Sequence, residues 1–164
     1  MTDTSLTATR LWKNMTPAQR LAAADAFWRD EDATEDQIQA VMLIAQQKKF
    51  RAKSVIALDV DRKSRHLASI VNLPEALAAR ALILYHLAVK RPMMGAFLDA
   101  LGITHEDGLI KEENVVPDPG KLAPAAAQLG EQFPAEDVSL YLNTLLCQDP
   151  ETWGRLSEVV APPA

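Results

Sequence analysis

Cysteine is almost missing from this 164-residue chain. The single Cys147 excludes an intramolecular disulfide framework and fits a reducing compartment. No run reaches the ~18 apolar residues that a membrane-spanning helix needs, and the opening MTDTSLTATRLWKNM lacks the continuous apolar core of a secretory signal. The expectation is a soluble, cytoplasmic protein without a membrane partner. Glycine is scarce at six residues, and neither a glycine-rich phosphate loop nor a Gly-x-Ser-x-Gly turn occurs. Aromatic residues make up only 5% and Val-Ile-Thr alternation is rare, so strands have little to build from.

Alanine and leucine fill the space instead, roughly 26 and 21 residues, and both favour helix. With 48% hydrophobic and 24% charged residues the composition is that of a globular protein. The expected fold is all-α, a single domain of about seven to nine helices. An N-terminal unit runs to about residue 102, a long connection covers 103–120, and a C-terminal helical unit covers 121–160. The organising element is the stretch PEALAARALILYHLAVKR at 74–91, where only Arg80 and His86 interrupt the apolar run between Ala76 and Val89. At 100° per residue Leu77, Ala81, Leu82, Tyr85, Ala88 and Val89 share one face, while Ile83 and Leu87 sit among the polar residues opposite. Such a helix asks for cover on most of its circumference, with Trp28, Ile38, Val41, Leu67, Phe97 and Leu142 as expected suppliers.

Local signals divide the rest. A short helix is expected near residues 6–13. Thr16-Pro17-Ala18-Gln19 reads as a capping box opening a helix to Arg29, with Leu21, Ala24, Phe27 and Trp28 inward. Thr34-Glu35-Asp36-Gln37 repeats the pattern for a helix to about Phe50 that buries Ile38, Val41, Met42, Ile44 and Ala45. Residues 54–58 are compatible with a helical turn or an extended piece. Asp59 caps the next helix, with Val60, Leu67, Ile70 and Val71 on one side, and Asn72-Leu73-Pro74 closes it. After Pro92 a helix to Leu101 ends at Gly102, a left-handed terminator. The connection that follows is longer than the roughly 2–8 residues usual between helices. Further helices are expected at about 121–132, from Pro134 to Gln148, and after the Asp149-Pro150 cap.

The net charge of −5 is unevenly laid out. Residues 48–66 hold Lys48, Lys49, Arg51, Lys53, Arg62, Lys63 and Arg65 against Asp59 and Asp61, a local charge of +5, whereas the chain from Asp99 onward carries −9. The basic segment, with Phe50 as a stacking surface, is a candidate anion or nucleic-acid site. Cations in the last turn of a helix also complement its dipole without any ligand, and the acidic total argues against a dedicated nucleic-acid binder. A third use for them is to meet an acidic surface, within the chain or between subunits.

No metal or cofactor motif is complete. HExxH is absent, and Asp59-Val60-Asp61 lacks the glycine and glutamate of a calcium loop. The weak metal candidates are His105, Glu106 and Asp107 on the long connection, whose carboxylates also suit a solvated turn. Arg80 and His86 are pocket candidates on the central helix. Cys147, on a leucine-rich helix, reads as a buried thiol, and no catalytic constellation is expected. The functional expectation is a non-enzymatic protein that associates with another protein or with itself. The alternative is anion binding through 48–66, and the third reading is a metal-dependent or enzymatic module built on 103–120.

Overall fold

The alanine- and leucine-rich chain forms ten α-helices and one minute hairpin in a computed structural model, which describes residues 6–163. The fold is all-α. Residues 1–5 of the expected N-terminal unit and Ala164 of the tail lie outside the described residues. Contacts gather into two units that divide between Tyr85 and His86, inside the apolar helix, rather than at Gly102.

The first unit contains α1 (Ala8–Asn14), α2 (Pro17–Arg29), α3 (Thr34–Lys48), α4 (Ala52–Ile56), α5 (Val60–Ala68) and the first part of α6 (Glu75–Val89). Glu75 caps α1, accepting hydrogen bonds from the backbone N–H groups of Ala8 and Thr9, both at 3.0 Å. The Trp12 indole N–H donates to the Ile70 carbonyl at 2.8 Å and holds the same junction from inside. The Thr16–Gln19 capping box is closed in both directions, and Asp59 accepts from the Arg62 N–H. The ambiguous 54–58 stretch falls at the end of the single-turn α4, and α5 stops at Ala68, short of Pro74. The second expected box does not form. Ala33 takes the cap position of α3, and the Gln37 amide nitrogen turns instead to the last carbonyls of α2, those of Phe27, Trp28 and Asp30 at 3.0, 3.4 and 2.8 Å.

α2 lies along α5, with Ala23, Ala24 and Phe27 buried on one helix and Ser64 and Leu67 on the other. Leu21, Val71, Ile38 and Met42, all expected inside, are exposed. On α3 the buried face is Ala40, Val41, Ile44 and Ala45. The face of α6 is likewise rotated from expectation. Leu77, Ala78, Ala81, Leu82, Tyr85 and His86 are buried, while Ala88 and Val89 are exposed. Ile83 keeps 37% of its surface in solvent, although Leu87 beside it is partly buried.

The second unit holds residues 6–7 and 86–163. It comprises α7 (Arg91–Leu101), β1 (His105–Glu106), β2 (Leu109–Ile110), α8 (Pro119–Gln132), α9 (Ala135–Gln148), α10 (Pro150–Trp153) and a 3-10 turn over Gly154–Glu158. Its core joins Met93, Phe97 and Leu98 of α7 to Leu122 and Leu129 of α8, Leu142 of α9, Trp153 and Leu156. The long connection is therefore not bare. Asp107 (φ 52°) and Gly108 (φ 88°) make the doubly left-handed turn of a two-residue hairpin, pairing His105 with Ile110 and Glu106 with Leu109. Gly102 terminates α7 in the left-handed conformation and Asp149 caps α10, both as expected.

Candidate functional site

The basic segment is distributed over three elements. Lys48 ends α3, Lys49 follows in a left-handed conformation, Lys53 sits on α4, and Arg62, Lys63 and Arg65 ride on α5. Phe50 is partly exposed and meets the His66 ring edge-on at 5.5 Å, which joins the end of α3 to α5. His66 is held below its ordinary value of 6.5, by burial first and then by the fields of Lys48 and Arg65. That depression places these cations close enough to sense one ring. Arg62 makes a long, exposed contact with Asp59 at 3.8 Å. Among the described residues Lys48, Lys49, Arg51, Lys53, Lys63 and Arg65 make no ion pair.

Lys63 points elsewhere. Its ammonium lies over the Trp28 ring, 5.4 Å from the centroid, at the wall of a groove of about 300 Å³. Trp28 of α2, Thr34, Gln37, Ile38, Val41 and Met42 of α3, Ala52 and Ile56 of α4, and Lys63 of α5 line it. Ile38, Met42 and Ile56 are 59%, 57% and 62% exposed, so three large apolar side chains flank one depression. The helical period explains part of this. Ile38 and Met42 are four residues apart and share a stripe beside, not on, the Val41–Ile44–Ala45 face. The short α4 then brings Ile56 to that stripe without covering it. The Trp28 indole N–H is buried and has no acceptor in the protein.

Two other depressions lie within the units. One, between α2 and α5, is lined by Leu21, Asp25, Arg29, Asp61, Ser64 and Arg65 among others. Arg29 and Asp25 neutralise one another there at 2.9 Å. The other runs over the small residues of α8 and α9 toward Val159 and Val160. Neither gathers large exposed apolar groups as the α3–α4 groove does.

The pocket candidates are each engaged. Arg80 pairs with Asp36 of α3 at 2.9 Å. His86 is buried with its ring 5.4 Å from that of Tyr141, whose phenol is pushed above its ordinary range by burial. The metal candidates diverge. Both ring nitrogens of His105 are occupied: Nδ1 accepts from the Gly108 N–H at 3.0 Å, which leaves the Nε2 proton to Asp99 at 2.7 Å. Glu106 pairs with Lys111 at 3.3 Å and Asp107 with Arg91 at 3.6 Å. Among the described residues no three His, Cys, Asp or Glu side chains gather in a cation-binding cluster. Cys147 is half-buried rather than fully enclosed, its thiol 3.9 Å from the Leu6 carbonyl. Among the described residues no helix is long and apolar enough to cross a membrane.

Of the groove residues, Lys63 alone was among the expected functional positions, and as an anion ligand. Ile38 and Met42 read as core because amphipathic spacing marks an apolar stripe without naming what covers it. Comparison with protein families, with curated proteins and with solved structures finds no match to this chain.

Proposed function

We propose that the protein works by association, and that another protein covers its α3–α4 face. One observation carries this reading: Ile38, Met42 and Ile56 stand more than half exposed around a single groove. Contiguous apolar surface of this kind costs solubility unless a partner uses it. A second copy docked face to face is disfavoured, because both faces would bring the cations Lys53 and Lys63 into one interface. Anion binding by Lys48, Arg65 and their neighbours is the second reading, supported by the absence of ion pairs to these cations among the described residues. A salt titration against mixed-sequence DNA and RNA tests it, since phosphate contacts give a steep slope.

The association reading is tested with a photo-reactive amino acid at Met42 and, as control, at the exposed Gln47, about 140° around the same helix. Irradiation in the source cells is expected to yield discrete cross-linked species from position 42 only. Equal yields at the two positions, or none at either, refute the assignment. Light scattering across a concentration series reports the copy number, and a dimer abolished by Met42→Gln would reassign the face to self-association.

A further inference from the structure

We propose that the occupant of the α3–α4 groove is an acidic amphipathic helix of a partner protein. Its apolar stripe sits on Ile38, Met42 and Ile56, and its carboxylates face Lys63 and the cations beside it. This rests on the association reading above and names the chemistry of the partner.

The dimensions suit a helix. From Thr34 to Met42 the groove wall rises about 12 Å, two helical turns, which matches side chains at i, i+3 or i+4, and i+7 of a docked helix. The polar groups at the wall call for an acceptor. Lys63 is the one charged side chain lining the groove among the described residues, and it has no carboxylate partner. The Trp28 indole beneath it carries a buried N–H with no acceptor in the protein. The amide nitrogen of Gln37, the third polar group of the wall apart from Thr34, is already spent on the α2 carbonyls.

The surroundings extend the same polarity. Lys53 is on α4 between the groove residues Ala52 and Ile56, and Arg65 and His66 follow Lys63 on α5. On α3 the acids Glu35 and Asp36 occupy the first turn, where Asp36 is held by Arg80, and on α5 Asp59 contacts Arg62 while Asp61 lines the separate α2–α5 depression. A docked helix would turn its acidic flank toward Lys53 of α4 and Lys63 of α5. A phosphate backbone would satisfy the cations but has no apolar stripe to offer Ile38, Met42 and Ile56.

The test uses the full chain and two fluorescein-labelled peptides of about 18 residues, long enough for several turns. Both carry leucines at i, i+3, i+4 and i+7; one has glutamate and the other lysine at the remaining positions. Because the whole protein carries −5, unspecific attraction favours the lysine peptide. The expected result is the reverse: at low salt the glutamate peptide binds about tenfold or more tighter, and added salt narrows the gap. Lys53→Gln with Lys63→Gln is expected to erase the preference, while Ile38→Gln with Met42→Gln weakens both peptides. Equal affinity, or preference for lysine, with sensitivity to the Ile38 and Met42 changes overturns the acidic partner and leaves the association reading standing. No binding of either peptide overturns both. Displacement of the glutamate peptide by a mixed-sequence oligonucleotide whose own binding ignores the Ile38 and Met42 changes reassigns the cations to phosphate and overturns the proposal.

Discussion

Ile38→Gln combined with Met42→Gln separates surface from core on a single helix. Full burial of such a side chain is worth about 1.5–3 kcal/mol. With 59% and 57% of their surfaces exposed, less than half of that is engaged at each position in the free protein. The loss is therefore about 1 kcal/mol per site and about 2 kcal/mol for the pair, and glutamine returns a little at position 38 through a better helix propensity than isoleucine. Ile44, on the same helix and fully buried, is the control: Ile44→Ala alone is expected to cost about 2–5 kcal/mol. A docked partner would remove the exposed remainder from water, so the double change should weaken binding by about 2 kcal/mol, roughly thirtyfold. Urea denaturation followed by circular dichroism measures the first quantities, and peptide anisotropy the last. A double variant as unstable as Ile44→Ala would place both side chains in the core. A change in affinity below about threefold would show that partners do not use them.

Three more outcomes follow from separate features. Gly108→Ala puts a Cβ 2.9 Å from that of Met94 at φ 88°, and is expected to cost about 2–4 kcal/mol in thermal unfolding; a loss below about 1 kcal/mol would contradict the tight seat of the turn on α7. His66 titrates below 6.5 in the folded protein, so the unfolded chain binds more protons just beneath that value and stability rises with pH up to about 6.5. His66→Gln should flatten that rise, and in ring-proton NMR the bound glutamate peptide should move the His66 midpoint upward; a free-protein midpoint at or above 6.5 would refute the cause assigned to it. Gln37→Leu strips the α2 carbonyls of their donor and should cost about 1–2 kcal/mol by denaturant melt, whereas an unchanged midpoint would mean that solvent replaces the amide freely.

Helix ends were the most legible part of the sequence, because a cap is a local affair. Thr16 with Gln19, Asp59, Gly102 and Asp149 each carry their own hydrogen-bonding or conformational reason within four residues. What failed depended on distant neighbours. Gln37 has the spacing of a capping glutamine, yet the free carbonyls of α2 lie within its reach and win it. His86 looked like a boundary residue on a helical wheel, but Tyr141 gives its ring an aromatic neighbour in the interior. Ile38 and Met42 show the limit most clearly, since apolar spacing is identical for a core stripe and for a docking stripe. The hairpin was readable and missed: Asp107-Gly108 is a strong turn signal, hidden in a stretch that looked merely non-helical.

That same dipeptide has a chemical side. An aspartate followed by glycine is the backbone's weak point for ageing, since the glycine nitrogen can attack the side-chain carboxyl carbon, expelling water to close a succinimide that water reopens to aspartate or isoaspartate. In the folded chain the Gly108 nitrogen is committed to His105 Nδ1, and the Asp107 carboxylate is drawn to Arg91. The attack needs the Gly108 N–H released from His105. Here a histidine that resembled a metal ligand serves as a guard on the covalent integrity of the chain, and isoaspartate at position 107 becomes a chemical clock for how often this corner opens.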